Sequence, residues 1–121
     1  MMRGIRGAIC PSDNTKEAIF EATSRLLREV LTRNRLDQES IISILLTATP
    51  DLTADFPAYA IRGNGLTAVP VLCASEIDVA GAMPGVIRML VHAETELKRS
   101  EIKHVYLGDA ARLRPDLAEG E

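Results

Sequence analysis

The stretch NTKEAIFEATSRLLREVLTRNRLDQESIISILLTAT, residues 14–49, decides the fold class because a helical pattern is followed by a strand pattern. Asn14 followed by Glu17 resembles a capping box, which marks the start of a helix. Behind it, apolar residues recur at helical spacing, namely Ala18, Ile19, Ala22, Leu26, Leu27, Val30 and Leu31. This pattern predicts an amphipathic helix over residues 15–33.

One strand pattern follows this helix and another precedes it. Residues 41–49 are rich in β-branched side chains and leucine, which predicts a buried strand that ends at Pro50. Residues 3–10 place Ile5 and Ile9 on one face of an extended chain, which predicts a second strand.

Helix and strand signals continue to the end of the chain. Residues 51–65 predict a short helix with Pro57 at its first position, and residues 69–75 predict a strand. A helix is predicted over residues 86–93, starting near Pro84. A strand is predicted over residues 104–107, and residues 110–113 continue it or pair with it around Gly108. Strands that alternate with helices predict an α/β (α+β) fold. We expect a single domain over residues 1–121, with one mixed β-sheet, flanking helices and a short flexible tail at about residues 118–121.

Composition excludes several classes of partner. The 121 residues, with a mass of 13.2 kDa, fit one domain of ordinary size. A net charge of −3 argues against a dedicated nucleic-acid binder or a protein that binds anionic membranes. The only aromatic residues are Phe20, Phe56, Tyr59 and Tyr106, so a surface that stacks bases is not expected. We expect neither nucleic acid nor a membrane as a partner.

Cysteine usage and hydropathy indicate the compartment. Cys10 and Cys73 are too few for a disulfide framework, and no Cys-x-x-Cys pair suggests zinc or redox chemistry. The N-terminus lacks the apolar segment of a signal peptide. The uncharged stretch over residues 64–75 is much shorter than the roughly 20 residues of a membrane helix. These features predict a cytoplasmic protein.

Arg88 is the only charged side chain within residues 79–93. One interpretation is an arginine whose stem packs on the core while its guanidinium reaches solvent. The other is an anchor for an anionic ligand, because a guanidinium keeps its charge when desolvated and offers paired donors. Arg6 raises the same choice, because its neighbours Gly4 and Gly7 let a ligand or another backbone approach closely.

Other side chains that carry chemistry also have two interpretations. Glu76 and Asp78 follow an apolar strand, where they form either a solvated loop or a carboxylate pair for acid–base chemistry. Cys73 lies within that strand and is either a small buried hydrophobe or a nucleophile. His92 and His104 are not at metal-ligand spacing and are interpreted as structural or exposed. These residues alone do not name a substrate.

Four blocks of sequence, spread over nearly the whole chain, have the order and spacing of a known family. They are RGIRGA at residues 3–8, TATPDL at 47–52 with FPA at 56–58, VPVLCASE at 69–76, and HVYL at 104–107 with LRPDL at 113–117. Together they resemble the small monofunctional chorismate mutases of the AroH class. The resemblance implies a homotrimer with a barrel-like core of sheets and with active sites in clefts between neighbouring subunits.

The resemblance also implies a reaction. This family converts chorismate to prephenate, in aromatic amino acid biosynthesis, by an intramolecular pericyclic rearrangement without a covalent enzyme intermediate. Such a step needs no metal and no organic cofactor, and we expect none. Because the substrate is a dicarboxylate whose ether oxygen gains negative charge in the transition state, the site needs cations and a fixed donor at that oxygen.

Matching positions assign the family's catalytic roles to five residues. By this resemblance, Arg88 donates to the ether oxygen, while Arg6 and the Tyr106 hydroxyl bind the enolpyruvyl carboxylate. Glu76 accepts a hydrogen bond from the ring hydroxyl, and Cys73 lies beside it as a hydrogen-bonding neighbour rather than a nucleophile.

The resemblance implies that eight further residues bind the substrate or line the cleft. Ala74 and Ser75 occupy the strand end that lines the substrate, and the apolar walls are formed by Phe56, Ala58 and Leu113. Arg62 and Arg114 lie near the cleft mouth. Tyr59 stands where a lysine is common in the family. The tyrosine removes one positive charge from the rim. No metal ligand is expected among these positions.

Two alternative functions remain open on the sequence. A trimeric enamine/imine deaminase-like protein also places arginines at clefts between subunits to hold carboxylates, but it lacks the combination of Arg88 and Glu76. A non-catalytic metabolite-binding protein would keep the cleft and lack a catalytic group. Loss of chorismate absorbance with purified protein distinguishes the enzyme from both.

Overall fold

A computed structural model describes residues 1–116 of the chain, which form two helices and five strands. In chain order the elements are β1 (Met2–Ile9), α1 (Lys16–Arg33), β2 (Ile41–Ala48), α2 (Ala58–Gly63), β3 (Val71–Ser75), β4 (Ile87–Glu94) and β5 (Val105–Tyr106). Short 3-10 segments cover Gln38–Ser40, Arg99–Glu101 and Gly108–Arg112. The tail expected at residues 118–121 lies outside the described residues.

The five strands of this described part form one mixed sheet in the order β3-β2-β4-β1-β5. β4 pairs antiparallel with both β1 and β2. The two edge strands run parallel to their neighbours, β3 to β2 and β5 to β1. This arrangement confirms the predicted α+β fold with a single mixed sheet.

Helix α1 confirms the first predicted helix, but its N-cap is Thr15 rather than Asn14. The Thr15 hydroxyl accepts a hydrogen bond from the Ala18 N–H at 3.0 Å, which satisfies one free donor of the first turn. The Asn14 side chain instead accepts from the N–H groups of Thr53 and Ala54, both at 3.0 Å. A loop distant in sequence therefore uses the acceptor that the local pattern assigned to the helix.

The predicted helix over residues 86–93 is wrong, because this segment forms the central strand β4. Its side chains alternate between the two faces of the sheet, with Ile87 and Val91 buried and Arg88 half-buried. A central strand carries apolar residues on both faces, so a short apolar run does not distinguish a strand from a helix. Arg88 consequently projects from the middle of a sheet.

Residues 110–113 neither continue β5 nor pair with it. Most of them belong to the 3-10 segment Gly108–Arg112. Gly108 has a φ of 58°, a left-handed conformation that glycine adopts without steric cost and that turns the chain out of the sheet. The other predicted strands, and the short helix that begins next to Pro57, are confirmed.

The hydrophobic core lies between α1 and one face of the sheet. Ile5, Ile44 and Val91 occupy one row on this face and are fully buried. Leu26 and Val30 of α1 are fully buried in the same cluster. Burying an aliphatic side chain of this size contributes about 1.5–3 kcal/mol, so the amphipathic helix and this face stabilise each other.

The opposite face of the sheet carries both apolar and charged side chains. We call it the open face; it includes Arg6, Leu45, Thr47, Leu72 and Arg88. Leu45 is 40% exposed and Leu72 is 64% exposed. The expected burial of β2 therefore holds for only one of its two faces, because successive side chains of a strand point to opposite faces.

Candidate active site

One row of side chains crosses the open face from β3 to β5. The strand register pairs Thr47 with Ala74 and with Arg88, and it pairs Ala8 with Arg88 and with Tyr106. A cleft of about 390 Å³ lies over this row and is lined by Arg6, Leu45, Thr47, Arg88, Met89, Leu90 and Tyr106. We call it the arginine cleft. The fold thus brings three of the expected catalytic residues, Arg6, Arg88 and Tyr106, to one cleft.

A fourth expected residue, Glu76, is hydrogen-bonded to this row. The Arg88 Nε donates to the Glu76 Oε2 at 2.9 Å, and the Thr47 hydroxyl lies 2.6 Å from the same oxygen. The Glu76 N–H donates to the Ala48 carbonyl at 2.9 Å, which fixes the backbone just beyond β3. Glu76 therefore pairs with an arginine, whereas Asp78 is exposed and belongs to a solvated loop.

The hydrogen bonds of this pair leave two groups of atoms available. Because both bonds use the Glu76 Oε2, the Oε1 atom has no hydrogen-bond partner among residues 1–116. The two Nη atoms of Arg88 likewise have none in that part of the chain. The Arg88 side chain is 42% exposed and the Glu76 side chain 17% exposed, so the pair can meet a ligand without being fully solvated.

Arg6 and Tyr106 occupy neighbouring strands on the other side of Arg88. The Arg6 side chain is exposed, and its backbone N–H donates to the His104 Nδ1 at 2.9 Å. Tyr106 is only 5% exposed and packs in a small apolar cluster with Ala8. His104 thus supports the strand that carries Arg6, a role that its spacing in the sequence did not reveal.

Cys73 lies on the other side of β3 from the arginine cleft. Its register partner is the buried Leu46, so the thiol points to the face covered by helices. Burial raises the pKa of the Cys73 thiol, against a smaller opposing effect of a hydrogen bond with the Ala58 backbone. A raised pKa disfavours the thiolate, which is the nucleophilic form. The strand register thus places the Cys73 side chain on the opposite face of the sheet from Thr47 and Arg88, the partners of Glu76.

A second cleft, of about 510 Å³, lies at the carboxyl end of β3. It is lined by Lys16, residues 48–50, residues 52–57 and residues 73–75, and so includes Phe56, Cys73, Ala74 and Ser75. Thr49 and Leu52 come from the end of β2 and the loop behind it. None of the residues lining this cleft also lines the arginine cleft. Within a single chain, four expected site residues therefore line this cleft, and three others line the arginine cleft.

The remaining expected rim residues form two separate groups. Around α2, the rings of Phe56 and Tyr59 meet edge to face at 5.6 Å, and the Arg62 guanidinium lies 5.7 Å from the Tyr59 ring. Ala58 begins this helix. Favourable ring and cation contacts of this kind hold the group together on the side of the second cleft.

The other group follows the Gly108–Arg112 segment near Tyr106. Leu113 packs against the apolar cluster that contains Tyr106. The Arg114 guanidinium donates to both carboxylate oxygens of Asp116, at 3.1 and 2.9 Å. This hydrogen bond lowers the pKa of Asp116 and raises the pKa of Arg114. The expected rim cation is thus paired with a carboxylate of its own chain.

The described residues contain neither a metal-binding cluster nor a membrane-spanning helix. No cluster of three or more His, Cys, Asp or Glu side chains is placed to hold a metal ion within residues 1–116. His92 instead shares a hydrogen bond of 3.1 Å with Ser43. Neither helix in this part of the chain is long and apolar enough to cross a membrane.

Comparison with known proteins decides the family. The family model described as chorismate mutase type I matches residues 2–117, which is nearly the whole chain. The chain belongs to the type I chorismate mutase family. This membership confirms the resemblance drawn from the sequence blocks and does not favour the deaminase-like or non-catalytic alternatives.

Full-length relatives in this family support the assignment. The chain is 44% identical to "Chorismate mutase AroH" of Thermus thermophilus over the full length of both proteins. It is 42% identical to "Chorismate mutase AroH" of Bacillus subtilis (strain 168), covering 98% of this chain and 94% of the relative. A solved chorismate mutase from Clostridium thermocellum has a TM-score of 0.89 at 44% identity, covering 91% of this chain and 98% of that one.

Proposed function

We propose that this chain converts chorismate to prephenate in the arginine cleft, as the isomerase of its family. The observation that carries the proposal is the hydrogen bond between Glu76 and Arg88, the latter in a cleft with Arg6 and Tyr106. These groups provide cations for a dicarboxylate and an acceptor for a hydroxyl. They also provide a fixed donor for an oxygen that gains charge.

Arg88 acts on the ether oxygen of the substrate. Its Nε is held by Glu76, so the plane of the guanidinium is set before substrate enters, and the Nη atoms donate to the oxygen. Because negative charge grows on that oxygen as the C–O bond breaks, the donors stabilise the transition state more than the substrate. The guanidinium keeps its charge in a partly desolvated cleft, where a lysine would lose it more readily.

The other groups of the cleft select a reactive conformer. Arg6 and the Tyr106 hydroxyl bind the enolpyruvyl carboxylate, and the free Oε1 of Glu76 accepts from the ring hydroxyl. Binding both ends of the substrate holds the two reacting carbons together. Holding the reacting groups in place lowers the barrier, because the substrate loses the entropy of its other conformers on binding rather than on reaching the transition state.

We further propose that the complete site forms between chains of a homotrimer. Within one chain, Phe56, Cys73 and Ser75 line a different cleft from Arg88. A neighbouring subunit that brings its second cleft to the arginine cleft would complete the set. The same contact would bury the apolar part of the open face, which a stable monomer would otherwise leave in water.

The setting and requirements of this reaction complete the proposal. The enzyme acts in the cytoplasm, which is consistent with its low cysteine content, and the acidic composition supports the absence of nucleic-acid and membrane partners. The reaction needs no metal and no organic cofactor, since a pericyclic step requires no redox or nucleophilic partner.

Loss of the chorismate absorbance band with purified protein tests the activity. We expect turnover to prephenate that dialysis against a chelator leaves unchanged. An Arg99→Ala variant, which alters an exposed arginine outside both clefts, should match the wild type. A folded wild-type protein without turnover would refute the proposed activity, and a loss on dialysis that a divalent ion restores would refute the metal-independent mechanism.

A further inference from the structure

We infer that Thr47 is a positioning residue for this reaction, whose hydroxyl sets which atoms of Glu76 and Arg88 face the substrate. The inference rests on the proposed function. Thr47 lies on β2 as the register partner of Arg88 on β4, and its side chain lines the arginine cleft. Thr47 belongs to the TATPDL block, but the sequence alone assigned it no role.

The direction of the hydrogen bond follows from the chemistry of the two groups. An ionised carboxylate only accepts hydrogen bonds, so the Thr47 hydroxyl donates to the Glu76 Oε2 across 2.6 Å. Short O–H to carboxylate bonds of this length are among the stronger hydrogen bonds in proteins. The β-branched side chain of a strand threonine has few χ1 rotamers, which keeps the donor in place.

Two donors on one carboxylate oxygen determine which atoms of Glu76 and Arg88 remain available to the substrate. The Arg88 Nε donates to the same Oε2 at 2.9 Å, which leaves the Glu76 Oε1 and both Arg88 Nη atoms available. Without the hydroxyl, the carboxylate is free to turn and bind the guanidinium through two oxygens, the geometry that arginine and carboxylate pairs commonly adopt. That rearrangement would consume one Nη atom and Oε1, the atoms that the reaction uses.

The test compares Thr47→Val with Thr47→Ser. Valine keeps the shape and the strand preference of threonine and removes only the donor, whereas serine keeps the donor. We expect Thr47→Val to lower kcat about 10- to 100-fold with a much smaller change in KM, the size expected for losing one hydrogen bond to a charged group. Thr47→Ser should stay within about threefold of the wild type. Thr47→Ala provides a second variant without the hydroxyl.

Controls separate this role from a structural one. Thr67→Val alters an exposed loop threonine outside both clefts and should leave kcat and KM unchanged. Wild-type kcat in Thr47→Val, an equal loss in Thr47→Ser, or a change confined to KM would overturn the inference.

A spectroscopic readout decides the inference independently of turnover. The Arg88 Nε–H resonance, assigned by its absence in Arg88→Lys, should be sharp in the wild type and in Thr47→Ser, and shifted or broadened in Thr47→Val. An unchanged resonance in Thr47→Val would overturn the positioning role. A wild-type protein without turnover would refute the proposed function instead, and this spectrum would still decide whether Thr47 holds the pair.

Discussion

At the scale of single residues, Arg88 has a defined partner, the carboxylate of Glu76. Arg88 lies on the otherwise apolar strand β4, and its guanidinium is bound to Glu76 rather than directed freely into solvent. A bound guanidinium with free Nη atoms is a preorganised donor. Single substitutions in the row of side chains around Arg88 should therefore lower the rate of the catalytic step. Substitutions at the rim of the cleft should instead weaken substrate binding.

Arg88→Ala should lower kcat by at least 10² to 10³, because losing one preorganised donor costs about 3–4 kcal/mol of transition-state stabilisation. Arg88→Lys should also lower kcat strongly, because lysine keeps the charge but cannot hold Glu76 and the ether oxygen together. Steady-state kinetics of the folded variants check this. A variant that keeps its kcat and changes only KM would contradict the assigned role.

Arg114 should act mainly on KM. A rim cation contributes binding to substrate and transition state alike, and this contribution is screened by salt. Because Asp116 holds the guanidinium through two hydrogen bonds, Asp116→Asn should lower KM while Arg114→Ala raises it. Steady-state kinetics at low and high salt measure the KM of both variants and its dependence on salt. Equal KM values in Asp116→Asn and wild type would show that the carboxylate does not compete with substrate.

At the scale of elements, the end of β2 is joined to the start of β4. The Thr49 N–H donates to the Val86 carbonyl and the Val86 N–H donates to the Thr49 hydroxyl, both at 3.0 Å. The Asp51 carboxylate accepts from the Gly85 N–H at 3.2 Å. This junction aligns the two strands that carry Thr47 and Arg88.

Asp51 should make the stability of this junction depend on pH. Desolvation raises the pKa of Asp51, but hydrogen bonds from Thr49 and Gly85 outweigh it, so the pKa lies below its ordinary value. A lowered folded-state pKa stabilises the fold above the unfolded pKa of about 3.9, and the contribution is lost as the pH falls through the folded pKa. The free energy of unfolding of wild type should exceed that of Asp51→Asn more at pH 7 than below pH 3.

Urea denaturation of both proteins at the two pH values measures this difference. Asparagine retains an oxygen that accepts from the Gly85 N–H, so the comparison isolates the charge. A difference between the proteins that is the same at both pH values would refute the contribution of the carboxylate.

The packing of α1 on β1 depends on a glycine. A Cβ atom at Gly7 would lie 3.0 Å from the Cδ1 of the fully buried Leu26, whereas one at Gly4 would lie at an ordinary 3.6 Å from Leu90. Gly7→Ala should therefore destabilise the protein by about 1–3 kcal/mol. Gly4→Ala on the same strand serves as the control and should be nearly neutral. Similar free energies of unfolding for both variants would contradict this packing argument.

At the scale of the whole molecule, several large apolar side chains of the described residues are exposed to solvent. Besides Leu45 and Leu72 of the sheet, Ile77 is 87% exposed and Val79 60% exposed in the loop that follows β3. Exposed apolar side chains in this number are typical of a protein with an interaction surface. A second and third copy of the chain would cover it and complete the site.

Light scattering should therefore give about 40 kDa, three times the chain mass of 13.2 kDa. Leu72→Asp places a charge on the open face and should dissociate the assembly with loss of activity, because an unpaired charge in an apolar interface is costly. Ser100→Asp adds the same charge to an exposed 3-10 segment and should leave mass and activity unchanged. A fully active monomer would refute the shared site.

Local patterns predicted much of the fold and the types of residue in the site. Helix α1 and strands β1 to β3 followed from spacing and from turn residues, because those signals depend on neighbours in sequence. The resemblance pointed to Arg6, Arg88 and Tyr106, which the structure brings to one cleft. The helix predicted at β4 was wrong because a strand pairs with this segment on each side. The cap predicted at Asn14 was wrong because a distant loop binds that side chain.

The amino-acid sequence by itself determined an α+β domain, its family and the chemical character of its site. Only the tertiary structure decided that Glu76 binds Arg88, that Thr47 donates to the same carboxylate, and that Cys73 faces away from both. The reason is that strand register sets which side chains share a face. Register depends on pairing between segments far apart in the chain, and no local pattern contains it.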